Sequence, residues 1–400
     1  MSPDDLDRHL RAHAPLSDCP LLGGNQVDFL PGGAPALEAI LQAIDGAREH
    51  VHLEYYTLED VHAGGRSLFT LLADKARAGV EVALTYDAIG SANTCDEAFD
   101  GLARAGVRIL EYHSLDPLRR AFNSSLNDRD HRKLTVVDGR VGFLGGVNMS
   151  RVYDTPESVG RGSSPDQAFW IDNAVRIQGP SVAEIQKLFF HTWRRQDGDP
   201  APMLGGPEHS PPRPDPVGEE VLRIDGSAPR ERRPLFSVSI RSAIAQSQRR
   251  VALATGYFVP TRGEVRLMAQ AARRGVEVDL LLAGYTDVPL AAFAGRRSYD
   301  HLLAAGVRIF EVQRGMLHAK IATVDGVWSA VGSSNFDRRS VYLNNEIDAI
   351  VFSRRIAAEI EGWLADERAR AVRIETRAWR ARATSERIKE AATRPIRWLL

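Results

Sequence analysis

The chain has 400 residues, 44% of them hydrophobic, and its 51 basic and 52 acidic residues leave a formal charge of −1. That is a globular composition and more chain than one core usually serves, so two domains are expected. The balanced charge argues against a general nucleic-acid binder, which would carry a basic domain. The two cysteines, Cys19 and Cys95, have neither metal nor redox spacing and are expected to be small buried hydrophobes in a reducing compartment.

The first twenty residues, MSPDDLDRHLRAHAPLSDCP, are polar and acidic and lack the apolar run of a signal peptide or spanning helix. From Asn25 onward helix and strand alternate. Ala36 to His50 has helical periodicity, Val51 to Tyr56 alternates as a strand, Arg66 to Ala78 is a helix stopped by Gly79, and Val80 to Tyr86 is a strand. Phe99 to Ala105, Gly106 and Val107 to Tyr112 repeat the cadence, which predicts a layered α/β domain. A long loop, HSLDPLRRAFNSSLNDRD, then runs up to His131; it is placed to rim a pocket, with Arg119 and Arg120 as candidates to meet phosphate head groups.

Asp130 to Ser150, DHRKLTVVDGRVGFLGGVNMS, has a counterpart in Met316 to Ser340, MLHAKIATVDGVWSAVGSSNFDRRS. The matched positions are His131 and His318, Lys133 and Lys320, Asp138 and Asp325, Gly145 and Gly332, and Asn148 and Asn335, with Ser333 following Gly332 in the second copy. Alternation after each Lys reads as a strand, so His and Lys at i and i+2 share a face. Asp-Gly between apolar runs is a hairpin signal, which makes Asp138 and Asp325 turn residues. Gly-x-x-Asn then falls on or just past the returning strand, where the Gly is expected to let a ligand approach and the Asn to offer an amide.

Beyond the first copy, Tyr153 to Ala168 is a polar, Gly/Ser/Pro-rich loop with the character of a flap. Phe169 to Gly179 places Asp172 in an apolar strand, and Ser181 to Arg194 is an amphipathic helix. Gln196 to Gly218 is Pro/Gly-rich without periodicity and reads as a linker. The domains are therefore drawn at 20–195 and 219–365 around the linker 196–218, with 366–400 as a basic helical tail. The second half opens with a helix at Phe236 to Ser247 and a strand at Arg250 to Tyr257 that runs into Tyr257-Phe258-Val259-Pro260. ARRGVEVDL at 272–280 answers ARAGVEVAL at 76–84, and LLAAGVRIFEV at 302–312 answers LARAGVRILEY at 102–112, so a whole domain is duplicated. Val341 to Ser353, read as a strand, carries the second buried acid, Glu346; an acid in either strand needs a hydrogen-bonding or charged partner. From Ile356 to Leu400 the chain reads as helical and increasingly basic, and Trp379 and Ile396 to Leu400 suit an anionic membrane surface.

One copy of the motif supplies one nucleophile candidate and one cation. Two copies facing each other supply two histidines, two lysines and two asparagines, a set suited to a phosphodiester: one imidazole attacks phosphorus, the other protonates the leaving alcohol, and cations and amides hold the non-bridging oxygens. Histidine suits both tasks because its reference pKa is about 6.5. This scheme calls for no metal and no cofactor.

The duplicated H-x-K-x-x-x-x-D with G-x-x-N resembles the phospholipase D superfamily, and its bacterial cardiolipin synthase branch in particular; YFVP at 257–260 resembles that branch too, and marks Tyr257 as a substrate-binding candidate. The resemblance implies two duplicated α/β/α sandwich domains with one active site at their pseudo-twofold interface. It implies transfer of a phosphatidyl group through a phosphohistidine to phosphatidylglycerol, giving cardiolipin and glycerol. His131 would be the nucleophile and His318 the general acid, although pseudo-symmetry permits the reverse. Lys133, Lys320, Asn148 and Asn335 would bind phosphoryl oxygens, and Asp172 and Glu346 would hydrogen-bond the histidines, in a pairing left open. The partners implied are a phospholipid and an anionic membrane, at the inner face of the cell membrane. Many members of that branch carry spanning segments near the N-terminus, from which this sequence departs. The same residues serve a hydrolytic phospholipase D or a metal-independent nuclease with water as acceptor; a non-catalytic lipid-binding protein fits two intact motifs poorly.

Overall fold

The computed structural model describes residues 4–114, 127–164, 167–196, 211–229 and 234–393. Strands of the first half lie in the order Arg108–Tyr112, Glu81–Asp87, His50–Tyr55, Lys133–Val137, Val141–Gly145, Asn173–Gln178, Leu22–Pro31. The second half repeats that order: Arg308–Val312, Glu277–Ala283, Arg250–Thr255, Lys320–Val324, Trp328–Gly332, Asn344–Phe352, Glu220–Ser227. Leu22–Pro31 pairs antiparallel with Glu220–Ser227, which joins the halves into one sixteen-stranded sheet.

Three large buried clusters follow from this layering, beside a small one of Val259, Ala291 and Ala294. One lies on the outer face of each half, and the third is shared, formed where the helices Val182–Arg195 and Arg354–Ala369 cover the middle of the sheet. Phe189, Phe190 and Trp193 on the first helix and Ile356, Ile360 and Leu364 on the second pack with Leu134, Val136, Ile347 and Val351 from strands of both halves. At Gly226 the shared packing is so close that an added Cβ would lie 2.4 Å from Leu188.

Several elements differ from their sequence reading. The helix expected to reach His50 spans Gly33–Asp45, and the strand after it, His50–Tyr55, is buried at every position instead of alternating. A strand covered on both faces has no polar side. Val341 and Tyr342 belong to a short helix, Arg338–Tyr342, because the Asp337 side chain caps it by accepting from the Ser340 N–H; the strand begins at Asn344. The C-terminal segment is not one helix. After Arg354–Ala369 the chain forms a strand at Val372–Arg373 and short helices at Thr376–Arg380 and Thr384–Ala392. Trp379 is buried against Tyr299, ring centres 4.9 Å apart, so that packing overrides helical periodicity and withdraws Trp379 from the surface. Much of the basic charge there is paired, Arg368 with Asp279, Arg382 with Glu390 and Asp300, and Lys389 with Glu386.

Cys95 is exposed and Cys19 half-buried, in place of the buried positions expected; Cys95 precedes the surface helix Asp96–Arg104, where no core reaches it. The N-terminal segment forms a helix, Asp4–His13, whose Leu6 and Leu10 pack on the second half's outer core. Arg119, Arg120, 197–210 of the linker and 394–400 of the tail lie outside the described residues. Pro211 to Gly218 form neither helix nor strand. Among the described residues no helix is long and apolar enough to cross a membrane.

Candidate active site

Each motif begins as a strand and returns through its Asp-Gly. Asp138 and Gly139 have φ of 51° and 63°, and Asp325 and Gly326 have 54° and 66°, a left-handed pair that opens the three-residue connection between paired Val137 and Val141, or Val324 and Trp328. The aspartates point away from the histidines, toward the strand alongside. Asp138 accepts from the backbone N–H groups of Arg48, Glu49 and His50 at 2.8–3.0 Å. Asp325 does the same for Gln248, Arg249 and Arg250 at 2.8–3.1 Å, and also receives Arg8 at 2.8 Å and His9 at 3.3 Å from the N-terminal helix. Burial pushes the Asp325 carboxyl up, but the bonds from His9 and the three amides outweigh it and hold its pKa well below the usual carboxylate range. Asp325→Ala orphans these donors and is expected to cost about 2–4 kcal/mol in urea unfolding at pH 7. A depressed folded pKa contributes stability above the unfolded value of about 4 and loses it as pH falls through the folded value, so the difference between variant and parent should shrink only in strong acid. An equal difference at pH 7 and pH 2 would refute this account.

Two short parallel pairings set the histidines. Arg129–Asp130 runs beside Asn344–Asn345, and Trp170–Ile171 beside Met316–Leu317. The His131 N–H donates to the Asn345 carbonyl at 3.0 Å and the His318 N–H to the Ile171 carbonyl at 2.8 Å. In each case the next residue along the partner strand is the acid. His131 Nδ1 therefore lies 3.0 Å from Glu346, and His318 Nδ1 lies 2.7 Å from Asp172 Oδ2. Each half supplies the acid that orients the other half's histidine, leaving Nε2 of each ring for chemistry.

The glycines serve this crossing. A Cβ on Gly145 would lie 2.5 Å from the Asn173 carbonyl, and one on Gly332 2.1 Å from Asp348 and 2.4 Å from the Ile347 carbonyl. What approaches them is the strand bearing the acid, not a ligand as the sequence reading had it. Ser333 donates to Glu346 Oε2 at 2.5 Å and Asn344 to Oε1 at 3.1 Å, while Tyr153 donates to Asp172 Oδ2 at 2.9 Å.

Both rings face one cavity of about 310 Å³, which Asn148, Asn335, Tyr56 and Tyr257 also line. Lys133 and Lys320 are buried beside it, each Nζ donating to the carbonyl of its own histidine. Asn148 Oδ1 accepts from the Thr57 N–H at 3.2 Å, which leaves its amide donors uncommitted by that bond.

The two sides differ electrostatically. Burial, more than the acids can offset, pushes Lys133 down to about 7 and Lys320 to about 8. Burial also lowers both histidines, with Lys133 and Lys320 acting further on His131 and Lys320 on His318. Burial would raise Asp172, but the charge and hydrogen bond of His318, with Lys320 nearby, outweigh it and keep the carboxylate below its usual range. Glu346 goes the other way, pushed up to about 7 by burial that Lys133 and Ser333 only partly counter.

Sequence reasoning missed Tyr56, whose ring lies 5.4 Å from that of His131 and equally far from Lys133 Nζ, and Trp170, 4.9 Å from the His318 ring. Tyr56 follows a core strand as Tyr257 does, and Trp170 precedes Asp172 by two residues, so both left a trace. Tyr257 lies 6.2 Å from the His318 ring and donates to Asp287 at 2.6 Å. Arg129, Asp337 and Arg339 also line the cavity and carried no signal of their own.

A duplicated α/β fold that closes two His-Lys-Asn sets around one small polar cavity defines an enzyme of phosphodiester chemistry. The chain belongs to the family described as cardiolipin synthase, PLD-like domain, whose profile matches residues 40–153 and 240–367. It is similar to the cardiolipin synthase of Geobacillus kaustophilus (strain HTA426), 31% identical over 394 residues, 98% of this chain and 76% of that one. It is also similar to cardiolipin synthase A of Pseudomonas putida (strain GB-1), 34% identical over 359 residues, 90% of this chain and 71% of the other. The crystal structure of phosphatidylserine synthase from Haemophilus influenzae Rd KW20 superposes with a TM-score of 0.66 at 13% identity, covering 98% of this chain and all of that one, a likeness of fold alone.

Proposed function

We propose that this enzyme transfers a phosphatidyl group from one phosphatidylglycerol to another, forming cardiolipin and releasing glycerol. The observation that carries the reading is the crossed pairing of His131 with Glu346 and His318 with Asp172 around one cavity. In the first step His131 Nε2 attacks phosphorus; the P–O bond to glycerol breaks, its electron pair stays on the glycerol oxygen, and His318 as imidazolium supplies the proton. In the second, neutral His318 takes the proton from a hydroxyl of the second phosphatidylglycerol, that oxygen attacks phosphorus, and the P–N bond returns its pair to His131. Lys133, Lys320, Asn148 and Asn335 hold the non-bridging oxygens as charge moves. The division of roles draws support from the acids. An ionised Asp172 at 2.7 Å favours imidazolium at His318, whereas burial, with Lys133 and Lys320 alongside, holds His131 as the uncharged ring a nucleophile needs.

Purified enzyme incubated with phosphatidylglycerol liposomes in EDTA is expected to yield cardiolipin and glycerol by mass spectrometry. Phosphatidic acid without cardiolipin would replace the transferase reading with hydrolysis, and neither product would exclude phosphatidylglycerol as donor.

A further inference from the structure

Eight large hydrophobic side chains are exposed among the described residues, and four of them sit in three short segments that carry or adjoin residues lining the cavity. Val288, 36% exposed, lines it directly, and Leu290, 51% exposed, stands just before the lining residue Ala291. Tyr342, 43% exposed, ends the short helix that carries the lining residue Arg339. Ile89, 44% exposed, precedes Gly90, whose Cα packs so closely on the Tyr56 carbonyl that an added Cβ would lie 2.2 Å from it; Tyr56 is the cavity wall beside His131. The first half contributes one of these side chains and the second half three, so both halves carry exposed apolar groups next to segments that line the cavity.

Exposed apolar side chains in segments that also line a substrate cavity mark a candidate contact surface. Basic groups stand among them. Exposed Arg338 lies over the Tyr342 ring, 5.1 Å from guanidinium carbon to ring centre, and Arg339 follows it; the carboxylates nearby are Asp287, bonded to Tyr257, and Asp337, which caps the helix. By contrast the C-terminal segment, basic in sequence, has its Trp379 buried and much of its charge paired.

We infer that this apolar rim, with Arg338 and Arg339, is the surface by which the enzyme docks on an anionic phospholipid bilayer, seating Ile89 and Leu290 among the acyl chains so that a head group enters the cavity between His131 and His318. The inference rests on the phosphatidyl-transfer reading for the reason a lipid must enter, but the docking itself is measured without turnover. Apolar insertion combined with attraction of basic side chains to anionic lipid is the general way a protein lies on a bilayer without spanning it.

The test compares parent, Ile89→Asp/Leu290→Asp and Ile388→Asp for sedimentation with vesicles of equal phosphatidylglycerol and phosphatidylcholine. Their kcat/KM is measured alongside on dihexanoyl phosphatidylglycerol below its critical micelle concentration. The double variant is expected to partition about 10- to 100-fold less, from losing two inserted side chains. Its turnover of the dispersed lipid should stay within about twofold of the parent, and Ile388→Asp, on the exposed C-terminal helix, should bind as the parent does. Undiminished sedimentation of the double variant, or release by Ile388→Asp instead, would overturn the inference. So would gel filtration showing that the double variant splits a parent dimer, since the rim would then be a self-association face. Absence of turnover by the parent on dispersed lipid would count against the transfer reading while the sedimentation result still decided the docking.

Discussion

On a phosphatidyl donor whose leaving group is p-nitrophenol, His318→Ala is expected to release about one p-nitrophenol per active site and then stall, while His131→Ala releases none. Nitrophenolate departs without a proton, so a first step that lacks its general acid still proceeds, whereas one that lacks its nucleophile does not. The stall follows because the same His318 must activate the acceptor in the second step. With phosphatidylglycerol, where the leaving alcohol is basic and needs the proton, both variants should lose at least about 10⁴-fold in turnover. Each ring lies at the cavity surface and its acid partner can turn to remaining donors, Ser333 and Asn344 for Glu346 and Tyr153 for Asp172, so thermal unfolding should stay close to the parent's. A burst from His131→Ala with none from His318→Ala would reverse the roles, and substantial steady turnover by either would remove the two-histidine mechanism.

Legibility in the sequence followed the range of the interactions. The hairpins were readable because Asp-Gly between β-branched runs is a local signal, and the duplication because His, Lys, Asp, Gly and Asn recur at identical spacing. Which acid serves which histidine was not, since the pairs are 215 and 146 residues apart and are set by two parallel bridges between the halves that leave no periodicity. The glycines were misassigned for the same reason: the neighbour that excludes a Cβ is a strand contributed by a later stretch of chain. Trp379 and the N-terminal helix show tertiary packing deciding what composition could not. A basic, Trp-bearing segment reads as interfacial until the second half's outer core takes the Trp, and an acidic, polar segment shows only that it lacks a spanning apolar run until His9 and Arg8 find Asp325.

The acids are not equivalent, and exchanging each for its amide should show it. Asp172→Asn removes a carboxylate that sits 2.7 Å from His318 Nδ1 and is ionised throughout the neutral range, so the imidazolium loses its counter-charge and the acid step its poise. A fall in kcat of about 10²- to 10³-fold is expected, with the alkaline limb moved to lower pH because the imidazolium is no longer favoured, and the acidic limb left in place. Glu346→Gln keeps an oxygen able to accept from His131 Nδ1 and so keeps the ring oriented, but removes a group that titrates at about 7. The sign follows from that raised value: below it the Glu346 and His131 pair holds an extra proton, which competes with the Nδ1 hydrogen bond and draws charge away from the attacking nitrogen, so the parent's kcat/KM should fall as pH drops through about 7. In Glu346→Gln that acidic limb should move to lower pH, with a loss of only about 10-fold at pH 8. If the two amide variants gave equal losses and left the acidic limb in place, the unequal acids would not be what separates nucleophile from acid, and the roles of His131 and His318 would rest on the nitrophenol burst alone.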